Sequence, residues 1–389
     1  MLKVEVLDPV SFPSFYGGVI CDFTVITEYM LFPSISVVIP VHAGGESFRQ
    51  FLASLVITMP PPHEIIVVVD GNKDSPWGLA KEWGVKVLRL PTCEGPAHAR
   101  NWGARVANGE ILFFVDADVA IYPDTVEQVA TIFKTHTRLA ALFGSYDDAP
   151  GASNFLSQYK NLFHHYTHQT ACEEASTFWG ACGAIRREIF LSLGGFDEGY
   201  RRPCVEDIEL GYRLKAAGYS IWLCKALQVK HLKQWRPISL LKAEFFDRAL
   251  PWTELILRDR ALTNDLNLGW SSRVSAILIY GLAIALIGAY WWWGGLTVAA
   301  VILLSLLALN APVYRFFWHK RGLLFALKTI PWHWFYYFYS SLAFAIGIVR
   351  YWWRRRHPAV ENPTIFPQQA PKRLRGSSLI RNPPPRILS

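Results

Sequence analysis

Gly109-Glu-Ile-Leu-Phe-Phe-Val-Asp-Ala-Asp-Val119 is the stretch on which the fold turns. After a glycine turn, an apolar run from Ile111 to Val115 leads straight into two carboxylates, Asp116 and Asp118. An unbroken apolar run of this length predicts a strand buried on both faces of a parallel sheet. Its carboxyl end is where open α/β sheets bind ligands. Alternation along an extended chain turns Asp116 and Asp118 the same way. Two acids on one side, with little to neutralise them locally, are costly unless a cation is present. The economical reading is a divalent metal that itself carries a diphosphate. A turn that merely favours Asp is the plainer alternative, because so short a motif recurs by chance.

Working outward, the same alternation of elements repeats. Ile35-Ser-Val-Val-Ile-Pro40 is a β-branched run closed by proline. Residues 46–59 carry Phe48, Phe51, Leu52, Leu55 and Val56 as a helical stripe. Glu64-Ile-Ile-Val-Val-Val-Asp70 is a second buried strand that ends in an acid. Gly71 to Pro76 is turn material, residues 77–84 read as a helix, and residues 85–90 as a third strand. Gly95-Pro-Ala-His-Ala-Arg-Asn-Trp-Gly103 leads into a helix with Ala99, Trp102 and Val106 at core spacing. Strands alternating with helices predict βαβ units and a mostly parallel sheet. Further on, residues 124–134 read as a helix, 140–144 as a strand, and 150–175 as a helix beside the site. His164, His165 and His168 cluster there without ligand spacing, which favours surface or packing roles. Residues 205–215 form a helix with acids in its first turn, where the dipole favours negative charge. Ile221–Cys224 and Leu227–Lys230 are late strands, closed by His231.

Composition separates a second region. The chain has 389 residues, 51% of them hydrophobic, and the long apolar runs lie after Ser272. Net charge is +8, but from Arg350 onward nine Lys/Arg face one acid, Glu361, so residues 1–349 balance. A basic tail after apolar spans suits an anionic membrane surface and not nucleic acid. The six cysteines show no metal spacing and suit a reducing compartment. No basic segment followed by a long apolar core opens the chain, so no signal peptide is expected. Residues 1–33 read as an extension without a sustained period, and translation could start at Met30.

Residues 35–231 resemble the family 2 glycosyltransferases of the GT-A fold. Four ordered signatures carry the likeness: Val-Val-Ile-Pro-Val closing strand one; Val-Val-Asp-Gly-Asn-Lys-Asp-Ser closing strand two; Gly95 to Gly103 ahead of Val-Asp-Ala-Asp; and Gly180-Ala-Cys-Gly-Ala-Ile-Arg-Arg, Gly194-Gly-Phe-Asp-Glu and Glu206-Asp207. The resemblance implies a Rossmann-like domain over 34–235 that binds a nucleotide sugar. It implies that Pro40, Val41 and Asp70 hold the base and ribose, and that Arg100 anchors nucleotide or diphosphate. Asp116 would face ribose or donor sugar, and Asp118 the metal, Mg²⁺ or Mn²⁺. Asp207 would be the general base, and His231 a further metal ligand or a packing residue. Inverting transfer needs a base opposite the leaving group and an electrophile on it. Glu206 would shape the acceptor pocket or raise its neighbour's pKa. The family's Tyr-Asn-Glu is replaced by His42-Ala-Gly-Gly-Glu46, and Gly71 replaces a second acid. The Gln-x-x-Arg-Trp set of processive synthases is missing, which implies transfer of a single sugar.

The remainder reads as membrane-associated. Residues 236–272 suit helices in the interface or docked on the catalytic domain. Residues 273–349 supply two or three transmembrane helices: Val274–Trp293, Leu296–Pro312 and, less cleanly, Pro331–Val349. Three spans place the tail outside; two spans with an interfacial or re-entrant third keep it inside. Residues 350–389 are a basic Pro-rich tail. The expectation is a multi-pass inner or plasma membrane glycosyltransferase with a cytoplasmic active site and a lipid or lipid-linked acceptor. Transfer to polyprenyl phosphate, polysaccharide extension and a non-catalytic nucleotide-sugar scaffold are the competing readings.

Overall fold

The computed structural model describes residues 32–71, 74–260 and 266–357. The expectations for the N-terminal extension up to residue 31, for a start at Met30 and for the tail beyond 357 lie outside them.

An alternating succession opens the chain: β1 (Ile35–Val41), α1 (Glu46–Val56), β2 (Glu64–Val69), α2 (Asp74–Glu82), β3 (Lys86–Arg89), α3 (Pro96–Val106) and β4 (Ile111–Val115). Asp74-Ser-Pro76, read as turn, instead starts α2, since proline suits a helix's first turn. Then follow β5 (Val119–Ile121), α4 (Thr125–Thr135), β6 (Ala141–Tyr146), α5 (Phe155–Thr170), β7 (Cys182–Arg186), α6 (Arg187–Ser192), α7 (Glu206–Ala216) and β8 (Ile221–His231).

These strands form one sheet in the order β3-β2-β1-β4-β7-β6-β8-β5. β3, β2, β1 and β4 are parallel. Beyond β4 the sheet turns mixed: β7 runs antiparallel to both β4 and β6, while β8 is parallel to β6 and antiparallel to β5. The expected mostly parallel sheet therefore holds for the first half only. The late strands at 221–224 and 227–230 are one long strand, β8, whose pairing slips between Phe143 and Ser145. Beyond the slip β8 pairs again with β6 at Ser145 and Tyr146, and its last residues, from Val229 to His231, also pair with β5. β4 is central and wholly buried, as its apolar run predicts.

The carboxyl-terminal region packs on this domain. α8 (Pro237–Lys242), a π-helix (Ala243–Ala249) and α9 (Leu250–Asp259) form one bent rod. Trp252, Leu255 and Ile256 of α9 pack with Tyr200, Val205 and Tyr212, so this rod is docked on the α/β domain. Then come α10 (Trp270–Gly288), α11 (Gly294–Leu309), α12 (Ala311–Arg321) and α13 (Leu323–Arg356). Among the described residues, α10 is long and apolar enough to cross a membrane, and α11 with α12 passes together as a pair bent by 59°. Asn310 sits at that bend, its amide donating to Ser275 on α10 and accepting from the Tyr337 hydroxyl on α13. Pro331, expected to open a third span, lies inside the 34-residue α13.

Candidate active site

The carboxyl ends of β1, β2 and β4 open on one cleft. Val41 is buried at the end of β1 and Pro40, beside it, is half-buried. Asp70 follows β2 and is only 4% exposed. Its carboxylate accepts the backbone N–H groups of Glu94 at 2.9 Å and Gly95 at 3.0 Å. Gly95 has φ +98°, and a Cβ there would lie 2.6 Å from the Arg201 backbone. No other residue fits this turn, which aims α3 across the cleft.

α3 delivers Arg100, buried under the cleft floor. Its guanidinium donates to Asp116 Oδ1 at 2.7 Å and to Glu206 Oε1 at 2.9 Å. Burial opposes the charge, yet Asp116, Glu206 and Asp207 together hold the guanidinium protonated more firmly than in water. Arg100 was expected to anchor the nucleotide or diphosphate. Its two terminal nitrogens are instead engaged by acids from two distant elements, so it stands as a strut between them. Asn101, next along α3, exchanges two hydrogen bonds with the Phe196 backbone. Arg213 of α7 donates to the Leu193 and Gly195 carbonyls. The Gly194-Gly-Phe-Asp-Glu198 loop is thus fastened from both sides, and α7 with it.

Asp116 and Asp118 do not continue the strand. The chain turns after Val115, with the Val119 N–H bonding back to the Asp116 carbonyl at 3.1 Å. The chain therefore turns here instead of continuing the strand's alternation, and the two carboxylates meet different cations. Asp116 takes the Arg100 pair, while Asp118 lies 3.9 Å from the Lys233 ammonium. Burial pushes the Asp118 carboxyl up, with Lys233 and the local backbone only partly offsetting it. A carboxylate in that state gains from added positive charge.

His231 closes β8 in register with Val119, directly beside Asp118. Its ring stacks on Tyr146 with centroids 4.2 Å apart. Burial lowers its pKa to about 3, with Lys233 adding to the effect, so the imidazole is neutral and offers a lone pair. Carboxylate oxygens and a neutral imidazole are a donor set that suits Mn²⁺, or Mg²⁺ with more water. The residues thus fit a divalent ion. Among the described residues, however, three ligand-type atoms come within 4.8 Å of one another only at His42, Asp70 and Cys93. Asp116, Asp118 and His231 border a wider space.

α7 brings the last two acids. Asp207 accepts the Gly180 N–H at 3.0 Å and its neighbour Ile208 N–H at 2.8 Å. Burial, then the charge of Glu206, push its pKa up to about 6, with Gly180, Arg100 and Arg248 pulling the other way. Glu206 was expected to shape the acceptor pocket or to repel its neighbour. It is 4% exposed and turned inward on Arg100 and the Cys204 N–H, and its charge adds to burial in raising Asp207.

Other groups at the cleft were not foreseen. Tyr146 ends β6, two residues past the strand end expected from sequence, and burial with the charges of Asp118 and Asp116 keeps its hydroxyl protonated. Trp179 packs edge-on against it. Arg248 of the π-helix faces Asp207, and Lys160 of α5 shares Glu244 Oε1 with it, at 2.7 Å for Lys160 and 3.3 Å for Arg248. His165 and His168 are spent on packing, within reach of the Tyr146 and Gly144 carbonyls.

Residues 36–194 match the family model described as Glycosyl transferase family 2. Glu206, Asp207 and His231 lie beyond that match. Among curated relatives, the O-antigen biosynthesis protein RfbC of Myxococcus xanthus is 26% identical over 50% of this chain and 17% of its own length. The probable glycosyltransferase YdaM of Bacillus subtilis is 27% identical over 49% of this chain and 48% of its own. The chain thus spans less than half the length of these relatives. Of solved structures, the mannosyltransferase PcManGT from Pyrobaculum calidifontis, in complex with GDP-Man and Mn²⁺, is 16% identical, covering 83% of this chain and 88% of that one with a TM-score of 0.48. Over residues 36–194 the chain is therefore similar to the glycosyl transferase family 2 domain.

Proposed function

We propose that the protein is a membrane-anchored, metal-dependent inverting glycosyltransferase that moves a single sugar from a nucleotide-diphosphate sugar to a lipid or lipid-linked acceptor. The observation that carries this reading is the Asp116–Arg100–Glu206 ion-pair chain, which ties the end of β4 to the first turn of α7 and sets Asp207 beside the acids of the cleft.

Pro40, Val41 and Asp70 bind the nucleoside, and Asp116 orients the ribose or donor sugar. Asp118 and His231 hold Mg²⁺ or Mn²⁺, which when bound offsets the charge building on the leaving diphosphate. Asp207, ionised at neutral pH, accepts the proton of the acceptor hydroxyl as that oxygen attacks the anomeric carbon from the face opposite the diphosphate. Tyr146, uncharged, closes the metal side without adding a second negative group.

Exposed apolar helices support the membrane placement. Ile277, Ile284 and Ile287 of α10 and Val301 and Leu304 of α11 are mostly exposed, as are Tyr290 to Trp293 at the tip between the helices. Apolar area of that extent is unfavourable in water and suits lipid, with the aromatic tip at an interface. The catalytic domain then lies on the cytoplasmic face of an inner or plasma membrane.

Asp207→Asn tests the base. Donor binding should survive while turnover falls by about 10²–10⁴-fold, the range for a general base. Transfer at the wild-type rate overturns the assignment. NMR of the product's anomeric proton tests inversion, and retention of configuration overturns that part.

A further inference from the structure

Three loops meet over the carboxyl end of β2. His42 leaves β1, Asp70 leaves β2, and Cys93 lies between β3 and α3. Cys93 Sγ is 3.5 Å from His42 Nδ1 and 3.4 Å from Asp70 Oδ2. The three ligand-type atoms all lie within 4.8 Å of one another. A tetrahedral zinc ion, with bonds of about 2.3 Å to sulfur and about 2.0–2.2 Å to nitrogen and oxygen, sets its ligand atoms roughly 3.4–3.6 Å apart. The two edges to sulfur already match.

Asp70 is buried and fixed by the Glu94 and Gly95 N–H groups, which leaves lone pairs for a metal and orients the carboxylate as an outer hydrogen-bond shell does. His42 and Cys93 are exposed and can close on an incoming ion. One thiolate, one imidazole and one carboxylate favour zinc, whereas the acids at Asp116 and Asp118 favour harder ions. The trio is not built as a nucleophile: the carboxylate touches the sulfur and not the far nitrogen of the imidazole, which it would have to orient.

We propose that His42, Asp70 and Cys93 bind a zinc ion, with water in the fourth position, and that this ion excludes the nucleotide donor. Cys93 releases its thiol proton to solvent as the zinc–sulfur bond forms, and no electrons are transferred. His42 binds through Nδ1 with its proton on Nε2, exchanging its 3.1 Å contact with the Asp70 carbonyl for the metal. Zinc binding stands on the cluster alone, while the exclusion rests on the donor-site reading of Asp70. One carboxylate cannot serve the ion and the nucleoside together.

The test uses the full chain in detergent. Cobalt, the spectroscopic substitute, should give a thiolate-to-metal charge-transfer band that zinc displaces at one ion per chain. Cys93→Ser should abolish the band, and His42→Ala should weaken zinc by about tenfold or more, as loss of one of few ligands does. No band in the wild type, or a band that survives Cys93→Ser, overturns the site. In transfer assays with saturating Mn²⁺, zinc should raise the KM for donor at constant kcat in the wild type and not in Cys93→Ser. A KM unmoved by zinc overturns the exclusion. A protein that shows the band yet transfers sugar from no donor supports the site and counts against the transferase reading alone.

Discussion

Asp207 and Glu206 are adjacent in sequence, yet only one of them faces the cleft. Glu206 is sunk on Arg100, and its charge reaches Asp207 as a repulsion that adds to burial. As a base, Asp207 must be ionised, so kcat/KM should fall tenfold per pH unit below about 6 and level off above it. Glu206→Gln removes the second cause of the upward shift, and the acid limb should move to lower pH. A limb that stays put or moves up contradicts the coupling. The same shift bears on folding. An unfolded Asp207 sheds its proton near 3.9, so the folded state loses relative stability as pH rises from there through about 6. Sequence carried the identity of these acids but not their partners. Arg100 meets Asp116 across 16 residues and Glu206 across 106, and no local pattern pairs a helix arginine with acids so far away. That is why the sequence could name Arg100 but not the acids that engage it in the folded chain.

Elements were legible where a period was strong and blurred where tertiary contacts overrode it. The apolar runs of β1, β2 and β4 and the stripe of α1 stand as read except at Val56, which is exposed at the helix end, since buried strands and amphipathic helices write themselves into hydrophobicity. The turn at Asp116–Asp118 was not legible, because what bends the chain there is the pairing of β5 with β8, more than a hundred residues on. The π-helix at 243–249 was not legible either. It carries Glu244, which is buried and answers both Lys160 and Arg248. Burial works to raise the Glu244 carboxyl, but the two cations hold it below the usual range, while burial pulls the Lys160 ammonium down. The acid gains from the cluster and the lysine loses, which marks a clamp whose removal is costly. Glu244→Gln leaves two cations facing each other. It should destabilise the protein by about 3 kcal/mol, the low end for an uncompensated buried charge because Arg248 is partly solvated. Thermal melting in detergent checks this. An unchanged midpoint would show that the rod is held by its apolar contacts alone.

At the scale of the whole molecule, the question left open by hydropathy is the side on which the tail emerges. α13 has 34 residues, so it is about 51 Å long, well beyond the ~30 Å of a hydrocarbon core. The sequence offers Pro331–Val349 as a third, less clean span, yet among the described residues α13 is not apolar enough to count as one. Its two ends also argue against a third span. Just before α13, Lys320 pairs with Asp148 and Arg321 donates to Gln158, both on the catalytic domain. At its far end, Arg350 and Arg354 converge on Glu254 of α9, which is itself docked against α7. A helix tied to the same body at both ends lies along that body, whereas the α10–α11 hairpin leaves its apolar faces and aromatic tip exposed. The tail should then start on the catalytic side, in keeping with the excess of arginine there. The check is labelling by a membrane-impermeant maleimide in sealed vesicles of both orientations, with labelled peptides mapped by mass. Cys172, exposed on the catalytic domain, reports that side. A cysteine placed by His357→Cys should label from the face that labels Cys172 and stay protected on the other. Labelling from the opposite face alone would make α13 a true span, and the Glu254 ion pairs could not then exist in the membrane-bound protein.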